Sequence, residues 1–168
     1  MFAGLASRAD AVLELTTDKD HIDAIGRIRK QLQEIEKNVD LLLQMLQLKK
    51  ELEPVIKAFI EAVSKEDKAL ASKYVLEEVA SHITKEESLC SLLCAGSGEL
   101  KGQKIKEVKY LFLVTLTDPD NIQKPQFVRA SVFLEVNTED GKSYPLKPNL
   151  PVTRTSNGWL IGEKKFRM

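Results

Sequence analysis

Besides the 25 carboxylates, the side chains able to carry proton, metal or redox chemistry are few: two histidines, two cysteines and three tyrosines. An acid–base site needs such groups placed opposite one another, within hydrogen-bond reach of the reacting atom. His21 stands at the start of a long helical pattern, and His82 precedes a short one, where a surface or helix-end position is expected. Cys90 and Cys94 are spaced four apart and share one helix face. As zinc ligands they would need two further donors, and there is no second pair. A redox pair would need two intervening residues rather than three. They read as buried apolar thiols, and no metal or cofactor is expected.

In the strand patterns, Arg129, Ser131 and Glu135 are the polar candidates for an inward face. Arg129 and Glu135 stand six residues apart, roughly 20 Å in an extended strand. That is too far for a paired site, so surface or interface ion pairs are the expected use. Tyr74, Tyr110 and Tyr144 can offer a hydroxyl to a ligand, although each also suits the edge of a core. Tyr74, Tyr110, Arg129 and Trp159 are kept as the lining of a candidate pocket, with no catalytic residue assigned. Gly96-Ser97-Gly98 has neither a preceding strand nor a following Lys-Ser/Thr, so it is a helix stop rather than a phosphate loop.

The elements that must position these residues begin with the clearest pattern in the chain. Ile25, Ile28, Leu32, Ile35, Val39, Leu42 and Leu46 recur in steps of three and four, which predicts a helix over 22–53, about 45 Å long at 1.5 Å per residue. Asp20 is placed to cap it. Its first half has a narrow apolar seam between polar faces, the requirement of a coiled-coil partner. Leu41, Leu42, Leu43, Met45, Leu46 and Leu48 then surround the helix, and a helix that is apolar all round is expected to be buried all round. Pro54, which removes a donor and disfavours helix before it, kinks this helix or starts another. It marks the expected seam between a helical extension, 1–53, and an α+β domain, 54–168.

Upstream, 2–15 reads as a short amphipathic helix. Downstream, Val55, Ile56, Phe59, Ile60 and Val63 form a stripe. Ser64 and Asp67 signal a second short helix, and Thr84 to Glu87 resembles a capping box for a third. From 104 the period changes to two. Val108, Tyr110, Phe112 and Val114 alternate with Leu111 and Leu113, so both faces are apolar and a central or doubly covered strand is expected. Asp118 to Asn121 reads as a turn, 127–136 as a second strand, and Glu139-Asp140-Gly141 as a turn. Pro145, Pro148 and Pro151 mark a loop or edge. Asn157-Gly158 predicts a primed two-residue hairpin turn before Trp159. Helices first and an antiparallel sheet after is an α+β order.

Three features carry a family resemblance: the opening run Val55-Ile-Lys-Ala-Phe-Ile-Glu-Ala-Val-Ser-Lys-Glu-Asp67, the helices followed by a long antiparallel meander, and the closing Asn157-Gly-Trp-Leu-Ile161. From Val55 onward, about two thirds of the chain, the sequence resembles the NTF2-like superfamily. The resemblance implies a bent sheet wrapped around helices, forming a cone with a pocket. That superfamily includes isomerases, dehydratases, transport factors and assembly or secretion-system components, among which fold alone does not choose. The segment 1–53 lies outside the resemblance.

Charge and hydropathy narrow the partners. The 25 basic residues equal the 25 acidic ones, which argues against nucleic acid, whose phosphates need concentrated positive charge. Neutrality also makes self-association less costly. No apolar run reaches the roughly 20 residues that span a bilayer. The start carries no signal-peptide pattern, so a cytoplasmic protein with reduced thiols is expected. The basic residues Lys164, Lys165 and Arg167 read as a solvated end. Two functions follow. The chain is a non-enzymatic assembly, scaffold or interaction subunit that oligomerises or binds a helical protein partner through its long helix. Alternatively it is a small-molecule-binding or isomerase- or dehydratase-type domain dimerised by that helix.

Overall fold

A computed structural model describes residues 8, 19–116 and 126–163. Apart from Arg8, the expected helix at 2–15 lies outside the described residues, as do the turn at 118–121 and the basic end at 164–167. The chain divides into two compact units, Met1–Leu46 and Gln47–Met168. The architecture is α+β, a long helix followed by short helices and a curled antiparallel half-barrel sheet.

Helix α1 spans Lys19–Ser64 with Asp20 in its first turn. It continues through Pro54, where the sequence predicts a kink or a new start. Pro54 is exposed, whereas Leu52 and Ile56 on either side are completely buried, as is Ile60. A proline inside a helix costs about 3 kcal/mol. Burying each of these large side chains contributes about 1.5–3 kcal/mol, so their burial outweighs the break. The stripe from Val55 to Val63 is therefore the last three turns of α1, not a separate helix.

After α1 come three short helices, α2 (Lys68–Ala71), α3 (Glu77–Ile83) and α4 (Leu89–Cys94). Asp67, not Ser64, caps α2 by accepting the Leu70 N–H at 2.9 Å. Ser88 caps α4, its hydroxyl accepting the Ser91 N–H at 3.1 Å. The expected capping box at Thr84 is absent because Thr84 ends α3.

Five strands follow: β1 (Ile105–Leu116), β2 (Phe127–Thr138), β3 (Ser143–Leu146), β4 (Asn149–Thr155) and β5 (Gly158–Ile161). The order is β1-β2-β4-β5, with β3 also on β2. β2 carries β1 along one edge; on the other, β4 pairs with 127–131 and β3 with 134–137. Pro148 lies at the break between β3 and β4. β1 is thus an edge strand, not a central one. A register shift between Tyr110 and Phe112 explains its two apolar faces. Before the shift Val108 points inward; after it Leu113 and Thr115 are buried, and Leu111, Phe112 and Val114 are left exposed. A bulge inserts one residue and so exchanges the faces of everything beyond it.

The β4–β5 hairpin closes at Thr155 and Gly158, so the turn residues are Ser156 and Asn157, one earlier than expected. Gly158 carries the positive φ, 109°, the pattern of a bulged turn rather than a primed one. The inward residues of β2, Val128, Ala130, Val132, Leu134 and Val136, form one core with Leu52, Ile56, Ile60 and Val63 of α1.

Candidate functional site

The seven seam residues lie within Lys19–Leu46 of α1. Ile25, Leu32 and Val39 are half-buried, while Ile28, Ile35, Leu42 and Leu46 are exposed by 51%, 49%, 58% and 55%. Leu43 adds a fifth exposed side chain at 58%. The apolar-all-round stretch at 41–46 is therefore not buried within the chain; complete burial along α1 starts at Leu48. Bulky aliphatic side chains repeated at a/d spacing, and half in water, form a surface whose covering is favourable.

The second unit has its own candidate site, a half-open cavity of about 280 Å³. Phe59 and Val63 come from α1, Val79 and Ile83 from α3, and Leu89, Leu92 and Leu93 from α4. Pro148, Leu150, Pro151, Ile161 and Gly162 complete the wall. Every lining residue is apolar. Gly162, at φ +135°, is required here, since a Cβ would approach Val79 Cγ2 to 3.0 Å and Leu76 Cδ1 to 3.1 Å. Three backbone carbonyls of this wall are already paired. Pro148 O accepts the Val132 N–H at 2.9 Å, Pro151 O accepts the Gly162 N–H at 2.7 Å, and Ile161 O accepts the Leu76 N–H at 2.9 Å.

The four residues kept as a candidate pocket are not among that lining, but Tyr110 lines a second, more open hollow with Lys57, Glu61, Ser64 and Glu107. Tyr74 is half-buried and packs against the core. Tyr110 donates its hydroxyl to Glu53 Oε1 at 2.6 Å; burial and then this carboxylate raise its pKa. Trp159 is buried, donates its indole N–H to Glu51 Oε2 at 3.1 Å and carries the Arg154 guanidinium 5.5 Å from its ring centre. Glu51 and Glu53 of α1 thereby tie the helix to β5 and β1. Arg129 is exposed. Arg129, Ser131 and Glu135 share the face of β2 opposite Val128 to Val136, and on that face Ser131 is buried. Ser131 donates to Asn149 Oδ1 at 2.6 Å, and Glu135 pairs with Lys109 at 3.8 Å.

Glu66 is a structural residue that sequence reasoning missed. At the end of α1 it adopts φ 55°, the only positive φ among the described non-glycine residues. Glycine usually holds this place, and another residue there costs about 1–2 kcal/mol. The Glu66 carboxylate accepts from the Ser88 hydroxyl at 2.7 Å, the Leu89 N–H at 2.6 Å and the Cys90 N–H at 3.1 Å. It thus caps α4 from more than 20 residues away. Burial raises its pKa, but these bonds more than offset that and hold it below the usual value. The only sequence sign is the absence of glycine where α1 ends.

Cys90 and Cys94 are buried and free, as the sequence suggests. Burial, then the Glu66 carboxylate, pushes the Cys90 thiol up to about 12, and burial raises Cys94. Such thiols are poor nucleophiles and poor ligands. Among the described residues no cluster of three His, Cys, Asp or Glu side chains is placed to hold a metal ion, and no helix is long and apolar enough to cross a membrane. In comparisons with known proteins, no family model matches the chain and no curated protein matches it.

Proposed function

We propose that this protein is a non-enzymatic assembly subunit that pairs with further copies of itself through the seam of α1. In this reading the second unit is an NTF2-like domain carried by the assembly in the cytoplasm. The single observation that carries the reading is the exposure of Ile28, Ile35, Leu42 and Leu46, each about half in water along one heptad ridge. Covering the remaining half of each contributes about 1 kcal/mol. A two-fold pair covers eight such side chains, a gain of about 8 kcal/mol, enough to oppose the 4–15 kcal/mol cost of association once the half-buried Ile25, Leu32 and Val39 add to it. The order of helices and curled sheet supports the NTF2-like resemblance. An isomerase or dehydratase would need an acid or base at its substrate; the apolar lining of the 280 Å³ cavity supplies neither, and the carboxylates of the hollow beside Tyr110, Glu61 and Glu107, are open to solvent, which favours assembly over enzyme.

A photo-crosslinking side chain placed at Ile35, compared with one at Lys37 on another face of α1, tests this reading. Copies joined efficiently through position 35 and poorly through 37 are expected. Equal yields, or none, would overturn it.

A further inference from the structure

The geometry points to the 280 Å³ cavity of the second unit as a binding site for a single unbranched hydrocarbon chain of about ten carbons, with its polar head left in water. Volume sets the size. A cavity of about 150 Å³ holds one benzene, so 280 Å³ has room for roughly ten to twelve carbons at similar packing. The chemistry of the wall sets the class. It is built from aliphatic side chains such as Ile83, Leu93 and Leu150, with Phe59 as its one aromatic ring.

A peptide entering the cavity would bring amide groups that each need a partner. The wall offers little: two of its members are prolines, and the carbonyls of Pro148, Pro151 and Ile161 already accept backbone N–H groups. A sugar, nucleotide or carboxylate inside would be left unpaired for the same reason. A saturated chain makes no such demand, and the half-open mouth lets its head stay solvated. Leu92, 44% exposed, is the lining residue most open to solvent and thus belongs to that mouth. The site is built by residues of the second unit alone, and its occupancy does not require assembly.

The test titrates the full chain with unbranched fatty acids from hexanoate to tetradecanoate, with 1-decanol to remove the head charge, and with phosphatidylcholine vesicles in a flotation assay. Affinity is expected to rise about fourfold per added carbon, to level off near ten, and to hold for 1-decanol. Leu92→Asp is expected to weaken decanoate at least tenfold, and Leu93→Trp, which fills the cavity, to do the same. If Leu93→Trp does not fold, Leu92→Asp decides alone, since its side chain is already nearly half in water. Affinity that climbs without a break to fourteen carbons, that ignores Leu92→Asp, or that is found with vesicles but not with free decanoate would overturn the proposal. So would the failure of decanoate to bind.

Discussion

Replacing Ile35 and Val39 together with aspartate separates assembly from folding. Both positions are in the Lys19–Leu46 part of α1, and Ile35 is 49% exposed in the single chain. Isoleucine, valine and aspartate have similar helix propensities, so the single chain loses only the buried halves of two side chains, about 2 kcal/mol. The core that holds the sheet starts at Leu48 and contains neither residue. In a two-fold assembly the cost is larger. Four side chains lose the cover their partners supply, about 4 kcal/mol in all, a factor of about a thousand in Kd at 1.4 kcal/mol per decade. Four carboxylates brought into a covered seam add to this. Light scattering at tens of micromolar is therefore expected to report a single-chain mass for the variant, while Trp159 fluorescence and the unfolding midpoint of the sheet stay near those of the parent. An unchanged mass would refute the seam as the contact. Loss of the Trp159 signal would show that the seam belongs to the core.

Three further outcomes follow from the second unit. Glu66→Gln keeps the shape but removes the charge that caps α4. Hydrogen bonds to a charged group are worth about 1.5–3 kcal/mol, which solvent screening at this largely exposed carboxylate reduces, so a loss of about 1 kcal/mol at pH 7 by urea unfolding is expected. Because the folded pKa of Glu66 lies below its ordinary 4.5, its contribution is complete above that value and is lost as pH falls through the folded one; parent and variant should converge in acid. Tyr110→Phe removes the 2.6 Å bond to Glu53 and is expected to cost about 1 kcal/mol, a difference measurable by thermal unfolding. Cys90 and Cys94 should resist alkylation at pH 8 in the folded chain and react at once in denaturant, since burial holds both thiols protonated.

Much of the fold is legible in the residues because long periodic patterns report the type of element directly. The seam from Ile25 to Leu46, the switch from period 3.6 to period 2 after Lys104, and the inward set Val128 to Val136 each need many residues to agree, so local exceptions do not mislead. The errors sit where one residue decides. Pro54 reads as a boundary, yet the buried Leu52 and Ile56 carry the helix past it. The extra residue at Leu111 exchanges the faces of β1, which makes an edge strand look like a central one. Thr84 reads as a cap, yet α4 starts at Ser88, which shares the capping with the distant Glu66 carboxylate. The candidate site was least legible. Leu89, Leu92 and Leu93 show an apolar face on a short helix, but no local pattern says that the space before them is left unfilled by Pro148, Leu150 and Gly162. Trp159 looks like a pocket residue because its polar tip wants a partner, and α1 supplies that partner through Glu51; Tyr110 finds Glu53 in the same way and also lines an open hollow.

Sedimentation equilibrium of the whole chain over a hundredfold range of concentration tests the pairing of α1 most directly. A mass that rises with concentration to a fixed multiple of 18.9 kDa is the predicted result. A mass of one chain at every concentration, with Ile28, Ile35, Leu42 and Leu46 still in water, would contradict it.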